Sequence, residues 1–285
     1  MRDFLAAVTL NAPAKLEADL INLGFDNYQY KLLPGLPNHA DYHKISLQIY
    51  LDDPRIDEIH ALVQRYELIS SIATEFTKKD FDSAEWFEVH AISWLNYPKP
   101  ETTWKQLTYD LAAPDYCHGC NGGLKQKAPF QLGSSEPKAT TKSFFSPGWV
   151  HDEIFVRTEV QNVLDAESIT GIDYLFPLKA QSKQPFDNLV QIVVKSYLPF
   201  ALANGQDLNP RPCKLCGNAI FGAGTGKRVK KFERAMFANQ PDIVKTSERF
   251  GKRKLLLISR KFYQLIIKHK WKGLEIRPVV LVAPL

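Results

Sequence analysis

The chain has 285 residues, of which 45% are hydrophobic and 24% are charged, and its formal net charge at pH 7 is +5. These values are typical of a globular protein and exclude a wholly disordered chain. No apolar run is long enough to cross a bilayer, and the first residues do not form a basic and apolar signal sequence. We therefore expect a soluble, cytoplasmic protein with no membrane partner.

Charge is distributed unevenly along the chain. Residues 225–277 contain sixteen Lys or Arg against four Asp or Glu, whereas residues 1–110 contain ten basic and seventeen acidic residues. The two ends are thus expected to present fields of opposite sign, which can steer a charged partner. The acidic part suits a basic partner.

The first part of the chain alternates helix and strand patterns. "PAKLEADLINLG" has apolar residues, including Ile21, at helical spacing, and "KISLQIYL" alternates as a strand with one buried face. "DPRIDEIHALVQRYEL" predicts a second helix, and Thr77 followed by Asp80 predicts the start of a short third one. These elements predict an acidic α+β domain over residues 1–110.

Residues 111–285 are expected to contain a duplicated unit. The stretch 122–148 is rich in Gly, Lys, Ser and Pro and is predicted to be a long loop. After it, "VRTEVQNVLDAESITGIDYLFPL" at 156–178 is similar to "ISRKFYQLIIKHKWKGLEIRPV" at 258–279. Each predicts a helix, a glycine stop (Gly171 or Gly273) and a strand. The fold class is therefore α+β throughout, with chance similarity of two amphipathic helices as the alternative to duplication.

All four cysteines lie in two identically spaced pairs, "CHGC" and "CKLC". Two such turns can complete a Cys₄ site, and in a cytoplasmic protein they favour thiolate ligands over structural disulfides. We predict one structural zinc ion per chain. Its ligands would be Cys117, Cys120, Cys213 and Cys216.

Other chemistry is compatible with these turns. "CHGC" is similar to the active-site turns of disulfide oxidoreductases, although such an enzyme needs only one pair placed at a helix start after a strand. Free or regulatory thiols are a third interpretation. His118 can also replace a cysteine as ligand, but it is better explained as a turn residue.

The remaining motifs do not predict catalysis. "GAGTGKR" at 222–228 departs from the phosphate-loop pattern both in glycine spacing and in the residue after Lys227. We find no hydrolase or metalloprotease motif and expect that the chain is not an enzyme. Residues 227–272 interleave Lys and Arg with aromatic residues, which leaves nucleic-acid binding as the main alternative function.

Three places in the chain together resemble the double-CxxCG motif family, whose members act as immunity proteins against polymorphic bacterial toxins. They are the two cysteine pairs, the segment "FTKKDFDSAEWF" at 76–87, and the ending "LLLISRKFYQLIIKHKWKGLEIRPV". One departure is that Asn121, and not glycine, follows the first pair. The resemblance implies that the cysteines bind metal and that the chain binds and neutralises a cognate protein toxin.

Overall fold

A computed structural model describes residues 1–9, 14–25, 28–33, 42–133, 142–203, 206, 208, 210–222, 228–251 and 253–283. The chain divides into two compact units. The first comprises Met1–Asp80 with Ala223–Val229, and the second comprises Phe81–Gly222 with Lys230–Leu285. This division differs from the expected boundary near residue 110, because the strand Trp86–Ala91 pairs with strands from the end of the chain.

The first unit alternates strands and helices in the order βαββαβ. Its elements are β1 (Arg2–Thr9), α1 (Ala14–Asn22), β2 (Tyr28–Leu33), β3 (Tyr42–Tyr50), α2 (Ile56–Arg65) and β4 (Ile69–Glu75). The strands form an antiparallel sheet in the order β2-β3-β1-β4. This order is the ferredoxin-like topology.

The helices α1 and α2 supply the core of this unit together with one face of the sheet. Leu5 and its register partner Ile49 face the helices, where Leu16 and Leu20 are fully buried. The predicted helices and strand are therefore present. Ile21, although apolar, is 60% exposed, because it follows Leu20 by one residue, which turns it about 100° away from the core.

The predicted short helix α3 is present at Lys78–Ser83, where the chain passes between the two units. The backbone N–H of Thr77 donates to Asp80 Oδ2 at 2.7 Å, and the N–H of Asp80 donates to Thr77 Oγ1 at 3.4 Å. This reciprocal pair is a capping box, as the sequence indicated.

The second unit contains two successive sets of elements. The first set is β5 (Trp86–Ala91), β6 (Trp94–Leu95), α4 (Trp104–Thr108), β7 (Tyr109–Asp110), β8 (Lys125–Gln126), β9 (Gln131–Leu132), β10 (Phe144–Pro147), β11 (Ile154–Arg157), α5 (Thr158–Ala166), β12 (Ile172–Leu175) and β13 (Leu178–Lys179). The second set is β14 (Leu189–Val194), β15 (Tyr197–Leu198), β16 (Arg211–Pro212), β17 (Ala219–Phe221), β18 (Lys231–Glu233), a 3₁₀ turn (Arg234–Phe237), β19 (Ile243–Phe250), β20 (Arg253–Ser259), α6 (Arg260–Lys268), β21 (Leu274–Pro278) and β22 (Val280–Val282).

Strand pairing relates many elements of the first set to elements of the second. The hairpin β10–β11 leads into α5 and β12, as the hairpin β19–β20 leads into α6 and β21. β6 pairs in parallel with β10, and β15 pairs in parallel with β19. β13 pairs in parallel with β9, and β22 with β18. We call residues 86–179 the first repeat and residues 189–282 the second repeat.

Each repeat gives its first strand to the sheet of the other. β5 lies between β20 and β21, and β14 lies between β11 and β12, with all four pairings antiparallel. A shared apolar core contains residues of both repeats, including Val160 of α5 and Phe262 of α6. Neither repeat thus has a complete sheet without the other.

The helix, glycine and strand predicted in both repeats are present. Gly171 and Gly273 have φ angles of +89° and +107°, which favour glycine. A Cβ on Gly171 would lie 2.5 Å from the carbonyl oxygen of Ile243, and one on Gly273 would lie 2.3 Å from that of Phe144. Gly171 therefore lets the first repeat approach β19 of the second repeat, and Gly273 lets the second repeat approach β10 of the first.

Two further expectations can be compared with the described residues. The predicted loop 122–148 contains the short strands β8, β9 and β10, and its residues 134–141 lie outside the described part. Within the described residues, no helix is long and apolar enough to span a membrane.

Candidate metal centre

Two short hairpins of the second unit present the cysteine pairs. β7 and β8 pair antiparallel below the turn that holds Cys117 and Cys120. β16 and β17 pair antiparallel below the turn that holds Cys213 and Cys216. Each pair thus sits at the tip of a hairpin, which fixes the directions of its two sulfur atoms.

The backbone of the two turns is the same. The N–H of Cys117 donates to the carbonyl of Gly122, and the N–H of Cys213 donates to the carbonyl of Asn218, both at 2.8 Å. The residue after the second cysteine is left-handed in both turns, with φ +59° at Asn121 and +75° at Gly217.

Asn121 therefore meets the same requirement as the glycine of the family motif. Asn tolerates the left-handed region better than other residues with a Cβ. Its side-chain oxygen also accepts a hydrogen bond from Lys105 Nζ at 2.7 Å, which anchors the turn to α4. The departure from CxxCG is thus compatible with an unchanged turn.

A close approach between the two turns depends on Gly119. A Cβ at this position would lie 2.9 Å from Leu215 Cδ1 and 3.3 Å from Cys213 Sγ. Leu215 occupies the equivalent position of the second turn. A small residue in one turn therefore accommodates a large one in the other.

The four sulfur atoms lie within 4.8 Å of one another, and all four cysteines are free of disulfides. Across the turns, Cys117 Sγ lies 3.8 Å from Cys213 Sγ, and Cys120 Sγ lies 3.6 Å from Cys216 Sγ. A tetrahedral ion with bonds of about 2.3 Å to sulfur requires sulfur–sulfur edges of about 3.8 Å. The sulfur atoms are placed where one metal ion can contact all four.

Backbone amides stabilise the thiolate form of one cysteine in each turn. The amides of Cys120 and Gly119 lower the pKa of Cys117, and the amides of Leu215 and Cys216 lower the pKa of Cys213 to about 6. Burial instead raises the pKa of Cys120 to about 12, because its sulfur has little contact with water. A bound cation would offset the cost of burying the Cys120 thiolate, since metal coordination deprotonates thiols.

A buried positive charge, Arg249, lies near the cluster. Cys120 is 1% exposed and packs near Ile220, whose register partner on β19 is Arg249. Arg249 is 6% exposed; burial lowers its pKa, and Asp152, followed by Cys120, Tyr197 and Cys117, acts against this effect. A divalent ion with four thiolates carries net negative charge, so Arg249 is a suitable counter-charge.

The predicted ligands are all brought together, and the alternative ligand is not among them. His118 is exposed and lies outside the four-cysteine group that the described residues contain. Sequence reasoning missed Gly119, Asn218 and Arg249. Alignment of the two turns at their constant offset would have matched Gly122 with Asn218. Arg249 is distant in sequence and carries no local signal.

No protein-family model matches the chain, and no curated protein matches it.

Proposed function

We propose that the chain is an immunity protein that binds and neutralises a cognate bacterial toxin, and that one structural zinc ion joins its two repeats. The observation that supports the zinc ion most is the convergence of four sulfur atoms from two hairpins. Four thiolates fill a tetrahedral shell and leave no position for a substrate, as in structural zinc sites. The toxin as partner rests on the resemblance to the double-CxxCG family.

Zinc is favoured by the donor set. Four thiolates in a tetrahedron select zinc or iron–sulfur chemistry over hard cations. The ion would connect two turns separated by more than ninety residues of chain, and its binding energy would add to the stability of the fold. The repeats would then be held together both by exchanged strands and by the metal.

Metal analysis of the purified protein with Cys117→Ser and Cys213→Ser variants tests the site. We expect about one zinc per chain, lost in both variants together with thermal stability, because the two turns share the ion. A coloured protein that contains iron would instead indicate an iron–sulfur centre. Two ions per chain, or loss in one variant only, would contradict a shared site.

The alternative, nucleic-acid binding through residues 227–272, is weakened by the positions of its basic residues. Lys230 and Lys245 are buried in ion pairs with Glu88 and Glu153, at 2.9 and 2.8 Å. Arg260 donates to backbone carbonyls of residues 81, 82 and 84. These charges are therefore engaged within the protein and are poorly placed to neutralise phosphates.

Co-expression with the product of a neighbouring toxin-like gene tests the function. We expect restored viability and a stoichiometric complex that survives moderate salt, since a packed interface depends less on ionic strength than phosphate binding does. Failure to rescue, with tight salt-sensitive binding of a labelled 20-nucleotide single strand, would instead support the nucleic-acid alternative.

A further inference from the structure

An exposed aromatic surface lies at one end of the second unit. A groove of about 430 Å³ is lined there by Trp94, Leu95, Asn96, Tyr97, Gly148, Trp149 and His151. Trp94, Tyr97 and Trp149 are 59%, 45% and 54% exposed. Large aromatic side chains left in water at one place are typical of interaction sites. We call these lining residues the aromatic groove.

The rings are held in place by tight packing. The Tyr97 ring lies on Gly148, where an added Cβ would be 2.3 Å from the ring carbon Cδ1. Trp149 packs against Tyr97, with 4.2 Å between ring centroids, and Trp94 meets His151 edge-on at 5.4 Å. The groove is thus preformed, which lowers the entropic cost of binding.

Trp149 also has an unfavourable backbone conformation. It is the third residue of the turn Pro147–Val150, closed by a 3.2 Å hydrogen bond, and its φ is +66°. Turns of this kind favour Gly or Asn at that position. A bulky aromatic residue there costs conformational energy, and the Trp149 ring packs on Tyr97 but stays 54% exposed. Such a residue is better explained by an external contact than by stability.

The chemistry of the lining selects the ligand. None of the lining side chains is an acid, lysine or arginine, and partial burial near Arg253 lowers the pKa of His151. An uncharged lining suits an uncharged ligand. Trp94 and Trp149 carry indole N–H donors and Tyr97 carries a hydroxyl, all on exposed side chains. The groove thus combines flat apolar faces with groups that can donate hydrogen bonds.

We infer that the aromatic groove binds a proline-rich segment of the partner protein in the polyproline II conformation. Such a segment has uncharged rings that pack on aromatic faces, and carbonyl acceptors without N–H groups, which match a donor-rich lining. A polyhydroxylated sugar also needs acceptors for its hydroxyl donors, and no lining side chain is a carboxylate. The inference rests on the proposed function for the identity of the partner, but the groove can be tested without it.

The second repeat provides a matched comparison. "SWLNY" at 93–97 corresponds to "SYLPF" at 196–200, and Tyr197 and Phe200 are likewise 46% and 65% exposed. Tyr197, however, has Lys254 Nζ 4.1 Å above its ring. Its aromatic face is therefore partly covered by the chain itself, and Phe200 lies outside the aromatic groove.

Titration with a blocked deca-proline peptide tests the groove directly. Calorimetry should show saturable binding to the wild-type protein and at least a tenfold loss of affinity for Trp149→Gly. Glycine suits the left-handed turn, so this variant should keep the wild-type urea midpoint, which separates lost contact from lost fold. Phe200→Ala should bind as the wild type does. No saturation at millimolar peptide, equal binding by Trp149→Gly, or displacement by cellohexaose would overturn the inference.

Toxin binding separates this inference from the proposed function. A toxin that binds the wild-type protein and Trp149→Gly equally would remove the groove from partner recognition and leave the immunity function standing. Deca-proline binding without any toxin rescue would support the groove and contradict the immunity function.

Discussion

The buried ion pair between Lys230 and Glu88 should contribute strongly to the stability of the second unit. Lys230 Nζ lies 2.9 Å from Glu88 Oε2, and the two side chains are 0% and 6% exposed. Lys230→Met removes the cation and leaves a buried carboxylate, whose remaining cation is Arg277 at 3.8 Å. Removing one partner of a buried ion pair costs about 3–5 kcal/mol. Because Arg277 still lies near the carboxylate, we expect a cost of about 3 kcal/mol here.

The double variant Glu88→Met with Lys230→Met measures the net contribution of the ion pair to stability. Replacing both charges by apolar side chains is often neutral, so we expect stability within about 1 kcal/mol of the wild type. Arg277 keeps a partner in Glu275, at 2.5 Å. All five tryptophans lie in the second unit, so urea unfolding followed by their fluorescence reports on the unit that holds the pair.

An exposed pair of the same unit serves as the control. Arg234 and Glu85 are 2.6 Å apart and both 54% exposed, so Arg234→Met should change the free energy of unfolding by less than about 1 kcal/mol. The reasoning would be refuted if Lys230→Met cost no more than this control. It would also be refuted if the double variant were as unstable as the single one.

Three more outcomes follow from local geometry. Gly273→Ala should lower the free energy of unfolding by about 3 kcal/mol or more, because its Cβ meets the Phe144 carbonyl in a left-handed backbone; an unchanged urea midpoint would contradict this. Gly217→Ala adds a Cβ with no atom within 4 Å, so it should cost only about 1–2 kcal/mol and retain the metal, as metal analysis can check. Burial and Arg253 lower the pKa of His90 from 6.5 to about 4, so the unfolded chain binds the proton first as pH falls. Stability should therefore decrease between pH 6.5 and 4, and His90→Gln should flatten this slope in urea unfolding; equal slopes would count against it.

Local patterns in the sequence were enough for most of the helices and for the two cysteine turns. Phe262, Leu265 and Ile266 recur at helical spacing and are buried on one face of α6. The conformation of the cysteine turns was also predictable from local sequence, because a CxxC pair followed by Asn or Gly favours a left-handed residue after the second cysteine. In each case the information lies within a few residues, where one or two turns of chain decide the outcome.

The exchange of β5 and β14 was decided only by the tertiary structure. The sequence predicted that β5 belongs to the acidic first domain, yet β5 pairs with strands that follow it by more than 160 residues. The pattern of a strand indicates whether one or both of its faces are buried, but not which strand will pair with it. The predicted boundary near residue 110 followed from this lack of long-range information.

The geometry of the candidate metal centre and the assembly of the aromatic groove also depend on long-range pairing. The cysteine spacing predicted one shared site, whereas the distances between the sulfur atoms, the space at Gly119 and the position of Arg249 required both hairpins to be folded together. Trp94 and Trp149 are 55 residues apart in sequence, and nothing local indicates that they line one surface. The sequence by itself determined which side chains the chain carries and which short elements they form. The pairing of distant strands decided which of those side chains share a site, because that pairing depends on contacts that no local pattern encodes.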